Sequence, residues 1–384
     1  MTLAASPFLA RVEDADFEVE EIGVGEPSGE GEHLLLWIEK RGLSTDAAAA
    51  RLARALGRSP GDAGWAGRKD KRAVTRQWIS VAGARAEDAR ELGWPDLSVL
   101  RAAAHAKKLK PGMLRGNRFR LRLRAVDTDR WPRAKARLVE LERDGLPNAF
   151  GPQRFGAGGD GAELGLALLE RRFEDYVRAL CTPPHAPDTP AVAELGERLA
   201  DGRGLRSTGS PAARLPAELA AVARQLARRR GDWASAARAV GRRLCLLHLS
   251  ALQASVFGDV LARRSPRPGA PEEGDLTRRH RPPSPFEESA TGPLVGWKAP
   301  LATGRPGSVE RAVLAERGID PAAFQGILPG LSPRGARRAL RVPLTAVELR
   351  GAGDERTLAF ELPAGAYATV VLDELLNACE APGR

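Results

Sequence analysis

The sequence predicts an α+β fold, on three observations. Runs with apolar residues at every second position occur within the first 125 residues and again after about residue 343. Helix start and stop signals bracket Ala- and Leu-rich runs between those strands. From about Ala157 to Pro333 the texture changes to Ala, Arg and Pro with long helical runs, so two strand-rich ends are separated by a different kind of chain. At 384 residues there is room for two domains and an ample core.

Asp16 to Ile22 alternates apolar and acidic residues over most of its length and reads as a half-buried strand entering a turn at Pro27 to Gly31. His33 to Glu39 is a largely buried strand. Ser44 or Thr45 caps a helix that runs to Leu56 and is stopped by Gly57. A basic loop, Gly67 to Arg72, precedes the strand Gln77 to Val81. A Gly-containing basic turn, Leu109 to Asn117, leads into Arg118 to Arg124, a strict alternation of Arg with Phe or Leu. That strand puts its apolar side in a core and a row of guanidinium groups on the other side, which serves either solubility or phosphate binding.

A helix with Pro132 in its first turn ends at Gly145. Pro147 to Gly156 then packs turn residues together with two Phe, an Asn, a Gln and an Arg. Such a segment suits base stacking and ribose contacts, or a tightly packed corner. Helical runs lie around Leu215 to Arg230 and Trp233 to Arg264, and the Pro-rich stretch Ser265 to Pro285 reads as a mobile loop. Strands return at Pro343 to Leu349 and Thr357 to Leu362, and a closing helix starts after Pro363 and ends near Asn377.

Lys and Arg number 59 against 49 Asp and Glu, a formal charge of +10 with pI near 10.1, which points to nucleic acid or another polyanion as partner. Cys181, Cys245 and Cys379 are widely spaced with no CxxC pair, so neither a disulfide framework nor a zinc cluster is expected, and a reducing cytoplasm fits. The five His are scattered, which argues against a metal-dependent nuclease; no metal site is expected. Residues 1–9 lack the pattern of a signal peptide, and no apolar run approaches the roughly 18 residues of a membrane helix. The expectation is a chain that neither spans a membrane nor is exported.

Gly67-Arg68-Lys69-Asp70-Lys71-Arg72 stands apart, with Arg76 close behind. A single carboxylate sits among five cations, and cations that close hold a carboxylate ionised and form a patch able to grip a polyanion. Asp70 is the candidate nucleophile or base. A solvated basic turn with one neutralising acid gives the same pattern.

Together the pieces resemble the tRNA pseudouridine synthase D (TruD) family. The matching blocks are Asp16-Phe17-x-Val19-x-Glu21, Ser28-Gly29-Glu30-Gly31-Glu32-His33, Ala66-Gly67-Arg68-Lys69-Asp70-Lys71-x-Ala73-Val74-Thr75-x-Gln77 and His105-x-x-Lys108-Leu109. They continue with Gly116-Asn117-x-Phe119, Pro147-Asn148-x-Phe150-Gly151-x-Gln153-Arg154-Phe155-Gly156 and Leu362-Pro363-Ala364-Gly365-x-Tyr367-Ala368-Thr369. They cover residues 11–156 well and return at the C-terminus.

The resemblance implies a pseudouridine-synthase-like mixed sheet flanked by helices, in a discontinuous catalytic domain of residues 1–156 and 336–384. A family-specific α/β domain, residues 157–335, is inserted into it. It implies isomerisation of uridine to pseudouridine in transfer RNA, at position 13, with no cofactor and no protein partner. Asp70 is then the catalytic aspartate, Phe17, Asn117 and Tyr367 contact the target nucleotide, and Phe119 lines the pocket. Arg11 falls where relatives carry a lysine and would pair with Asp70. Attack of the carboxylate on C1′ and removal of the 2′ proton both remain open. The rival from another class is a non-catalytic RNA-binding or RNA-chaperone protein on the same fold, against which an intact Asp70 counts.

Overall fold

The computed structural model describes residues 6–89, 92–156, 158–200, 215–264 and 269–380. The chain divides into two compact units: Met1–Leu146 with Arg281–Glu287 and Val342–Arg384, and Pro147–His280 with Glu288–Arg341.

The first unit is built on a sheet of ten strands among the described residues. In chain order these are β1 (Leu9–Ala10), β2 (Phe17–Gly23), β3 (His33–Arg41), β4 (Ala63–Trp65), β5 (Val74–Ala82), β6 (Gly93–Trp94), β7 (Leu97–His105), β8 (Leu114–Arg124), β9 (Thr345–Arg350) and β10 (Arg356–Pro363). Across the sheet the order is β9-β10-β8-β2-β5-β3-β7-β6, with β1 on β8 and β4 on β5. Only β2 and β5 run parallel, so the sheet is mixed. The alternation of Arg with Phe or Leu puts Phe119, Leu121 and Leu123 in the core and leaves Arg118, Arg120 and Arg122 exposed.

Three helices accompany the sheet in this unit. α1 (Thr45–Ala55) is capped by Ser44, whose hydroxyl accepts from the Ala47 amide at 3.2 Å, and the chain turns away at Gly57 with φ +66°. Its Ala48, Ala49, Leu52 and Ala53 pack on Leu34, Leu36, Ile38, Ile79 and Val81 of β3 and β5. α2 (Trp131–Asp144) carries Pro132 in its first turn and ends at Gly145 with φ +88°. It packs against the closing helix α3 (Ala368–Glu380).

The second unit is mostly helical. Its long helix Arg242–Arg263 forms the spine of a large apolar cluster. The helix Gly161–Leu169 lies so close to it that a side chain at Gly165 would strike the His248 carbonyl oxygen. By length and composition Arg242–Arg263 is apolar enough to cross a membrane, contrary to the expectation that no run approached that length. Over half of its apolar window is buried inside the protein, where Leu249, Leu252, Val256 and Phe257 build the core.

Two other expectations need correction. The helical run from Trp233 breaks into Trp233–Ala239 and Arg242–Arg263, because Gly241 takes φ +103°. The Pro-rich stretch is also not wholly a loop: Thr277–Arg279 pairs antiparallel with Glu288–Leu294, which in turn pairs with Ala336–Ala339. Residues 265–268 of that stretch lie outside the described residues.

Candidate active site

Strand register decides which side chains share a face. Val19 lies opposite Thr75 on β5 and Phe119 on β8; Thr75 lies opposite Lys40, and Gln77 opposite Ile38, on β3. Asn117 lies between Glu21 and Leu362, and Phe119 between Val19 and Phe360. Directly opposed residues project to the same side of a sheet. Lys40, Thr75, Gln77, Glu21 and Asn117 therefore form a polar strip on the face that otherwise buries Ile38, Val19 and Phe119.

The loop 66–73 between β4 and β5 crosses this strip and is pinned to it at four points. The Lys69 amide donates to Thr45 Oγ1 at 2.9 Å, Thr45 Oγ1 donates to Gln77 Oε1 at 2.9 Å, and Gln77 Nε2 donates to the Gly67 carbonyl at 3.1 Å. Lys69 Nζ meets Glu21 Oε2 at 2.6 Å, with both side chains almost wholly buried. Burial pushes the Glu21 carboxyl up, and Lys69 opposes that rise. The fourth pin is Lys40, 1% exposed, whose Nζ donates to the Asp70 carbonyl at 2.8 Å.

Asp70 is thus presented by a braced loop, with its side chain one-third exposed. Its charged neighbour is Arg11, whose Nη2 lies 3.5 Å from Asp70 Oδ2. Arg11 holds φ +61°, a costly conformation for a residue other than glycine, and its guanidinium lies 3.4 Å from the centre of the Phe17 ring. Phe17 packs edge-on against Phe119 at 6.1 Å, and Phe119 stacks on Phe360 at 5.4 Å. Phe17 and Phe119 are both buried, so in this conformation neither ring is open to a ligand. Asn117 is half-buried, and its Oδ1 is buried without a hydrogen-bond partner. Tyr367 is half-buried just before α3, beyond the end of β10 that pairs with Gly116 and Asn117.

Three of the five cations near Asp70 in sequence are paired with other carboxylates, while Lys71 and Arg72 are exposed beside it in the loop. Arg68 makes two bonds to Asp46 at 2.8 and 3.0 Å, Lys69 is spent on Glu21, and Arg76 pairs with Glu39 at 2.7 Å on the opposite face of the sheet. On that opposite face Arg118 also pairs with Glu361 at 2.6 Å. Arg118 is therefore charge-paired on the outer surface, with Arg120 and Arg122 exposed beside it, on the other side of the sheet from the polar strip. Sequence neighbours mislead here because residues 76 and 77 face opposite ways.

The sequence offered Thr45 only as a helix cap and Glu21, Lys69 and Gln77 only as members of matching blocks, and gave none of them, nor Lys40, a part in holding Asp70. A signal for Lys40 was present: it continues the 34, 36, 38 alternation of buried residues on β3. In the second unit, Pro147 to Gly156 forms a packed corner at its start and an exposed edge after it. Asn148 Nδ2 donates to the Ala339 carbonyl at 2.8 Å, and Phe150 lies under Arg338 and edge-on to Phe257, while Gln153 is exposed.

The family profile for tRNA pseudouridine synthase D (TruD) matches residues 9–289 and 283–375. The chain belongs to the TruD family. A tRNA pseudouridine synthase D of Geobacter metallireducens is 40% identical over 378 residues, covering 94% of this chain and 93% of the relative. That of Geobacter sulfurreducens is 38% identical, with 94% and 92% covered. A crystal structure assigned to tRNA pseudouridine synthase D from Methanosarcina mazei superposes with a TM-score of 0.74 at 26% identity, covering 96% of this chain and 93% of that one. Among the described residues of this TruD-family chain no group of three or more His, Cys, Asp or Glu is arranged to hold a metal ion.

Proposed function

We propose that this chain isomerises uridine to pseudouridine in transfer RNA, at position 13, with Asp70 as the catalytic carboxylate. The reaction and its substrate class come with family membership. Asp70 as the acting residue is supported by one observation: its loop is pinned through Gly67, Lys69 and the Asp70 carbonyl while the Asp70 side chain stays one-third exposed beside Arg11. Preorganised groups of this kind are what a catalytic centre needs.

Isomerisation breaks the N1–C1′ bond, turns the uracil while it is held, and joins C5 to C1′. The proton lost from C5 balances the one gained at N1. Asp70 either attacks C1′ to give a glycosyl ester or takes the 2′ proton to give a glycal; each needs one ionised carboxylate. Asn117 supplies the complement to the base. Its buried, unpartnered Oδ1 accepts from the uracil imide N–H, and its Nδ2 donates to an adjacent carbonyl. Phe17 offers a ring face for stacking once Arg11 swings from it onto the RNA backbone, a contact worth roughly 1–3 kcal/mol for a flipped base. Phe119 supports that ring from beneath, and Tyr367 closes the pocket from the head of α3.

We place catalysis in residues 1–156 and 336–384 and treat 157–335 as the inserted domain. A cytoplasmic setting fits the three unpaired, buried thiols.

The test is a carbodiimide primer-extension map of unmodified tRNA transcripts treated with the protein and with Asp70→Asn. The expected result is one stop at position 13 with the unsubstituted chain only. Pseudouridine formed by Asp70→Asn would remove Asp70 from the mechanism; tight binding without any stop would favour the non-catalytic reading.

A further inference from the structure

We propose that Lys40 is a positioning residue of this site: a buried ammonium, not matched to a carboxylate of its own, that holds the Asp70 main chain in place and supplies the positive charge facing the Asp70 carboxylate from beneath. The inference rests on the reading of Asp70 as the catalytic group.

A lysine is almost never fully buried without a paired charge, because desolvation penalises the cation. Lys40 is 1% exposed, and among the described residues it makes no ion pair; its one hydrogen bond there is to the Asp70 carbonyl. Directly opposite it on β5 is Thr75, whose buried hydroxyl has no partner. The charged groups around it are few. Asp70 and Lys69 face it from the loop, Glu21 stands behind Lys69 on β2, and Arg11 stands beyond Asp70. Lys69 is neutralised by Glu21, so Lys40 is the buried cation with charge to spare, and the carboxylate whose charge favours its protonated form is that of Asp70. A side chain needed only for packing on β3 would be apolar, as Leu36 and Ile38 are at the two preceding positions of the same face.

Burial pulls the Lys40 ammonium down to about 8, with Lys69 adding to the fall and Asp70 opposing it. Below that pH the ammonium is charged and the bond to the Asp70 carbonyl is charge-assisted, about twice as strong as a neutral one. Above it the neutral amine still donates, but the positive charge beneath the carboxylate is gone. The active form is the protonated one, so turnover is lost as pH rises through about 8.

The experiment is a single-turnover rate measurement with a tRNA transcript and saturating enzyme, from about pH 6 to about pH 10, on the unsubstituted chain, Lys40→Met and Asp70→Asn. For the unsubstituted chain the rate falls through an apparent pKa near 8. Lys40→Met is slower by roughly ten- to a hundredfold at neutral pH, binds tRNA within about twofold, and lacks that alkaline limb. Any limb due to the substrate's own imide would persist in Lys40→Met. The proposal is overturned if Lys40→Met keeps its rate within about twofold or keeps a limb near 8. Should Lys40→Met fail to fold by circular dichroism, the unsubstituted profile decides, and absence of a limb near 8 overturns the proposal. Activity in Asp70→Asn would instead bring down the Asp70 assignment itself.

Discussion

The two faces of the central sheet are made by the same strands from alternate residues, yet they handle charge in opposite ways. On the outer face Glu18, Glu20, Glu39 and Glu361 meet Arg76 and Arg118 in half-exposed pairs. On the inner face one ion pair, Lys69–Glu21, is sealed from solvent, and a lone ammonium, Lys40, lies beside it. Exposed pairs are cheap to form and cheap to lose, because water screens them whether or not they are made. Buried charges are costly, so they persist where they hold something in place. In this protein they hold the Asp70 loop.

That contrast can be broken at several points. The largest effect is expected from Asp70→Asn, which abolishes pseudouridine formation while leaving tRNA affinity within a few fold, checked by primer extension beside filter binding. Next comes Lys69→Met alone, which strands a buried Glu21 and costs about 3–5 kcal/mol in chemical unfolding. The double substitution Lys69→Met with Glu21→Leu recovers most of that loss, because it is the uncompensated charge that hurts.

The stability linkage of Lys40 runs in a defined direction. Its folded-state value of about 8 lies below the ordinary 10.5, so between these the unfolded chain binds more protons and stability rises with pH. The gain is about 3 kcal/mol, read as the difference between the unsubstituted chain and Lys40→Met across that window. The smallest effect belongs to the outer face. Arg76→Ala or Arg118→Ala costs under about 1 kcal/mol and leaves the single-turnover rate unchanged. If the outer arginines bound phosphates, Arg118→Ala would flatten the dependence of log affinity on log salt by close to 1; retention of the slope keeps that face out of the RNA site.

What was legible in the sequence follows the same division. Alternation along β8 and β2 exposed the strands, Ser44 and Gly57 marked α1, and Asp70 stood out as a lone acid in a basic run. These are local patterns. The supports of Asp70 are not local: Lys40 is 30 residues from it, Thr45 is 32 from Gln77, and Glu21 is 48 from Lys69. Such partners are set by strand register, and nothing in a single sequence displays register between β2 and β5. The same limit explains why three of the five cations counted around Asp70 are engaged with other carboxylates. Counting along the chain ignores that Arg76 and Gln77 leave a strand on opposite sides.

The middle of the sheet also has a history in time. β8 is flanked by β2, made before it, and by β10, which begins at Arg356. On a ribosome adding about 5–20 residues per second, the roughly 230 residues between β8 and β10 leave that edge without its partner for roughly 10–50 seconds. An open strand edge invites pairing with other chains, and charged side chains along it deter that pairing. Arg118, Arg120 and Arg122 are charged residues of that kind on β8, and Arg118 takes Glu361 as its partner where β10 pairs with it.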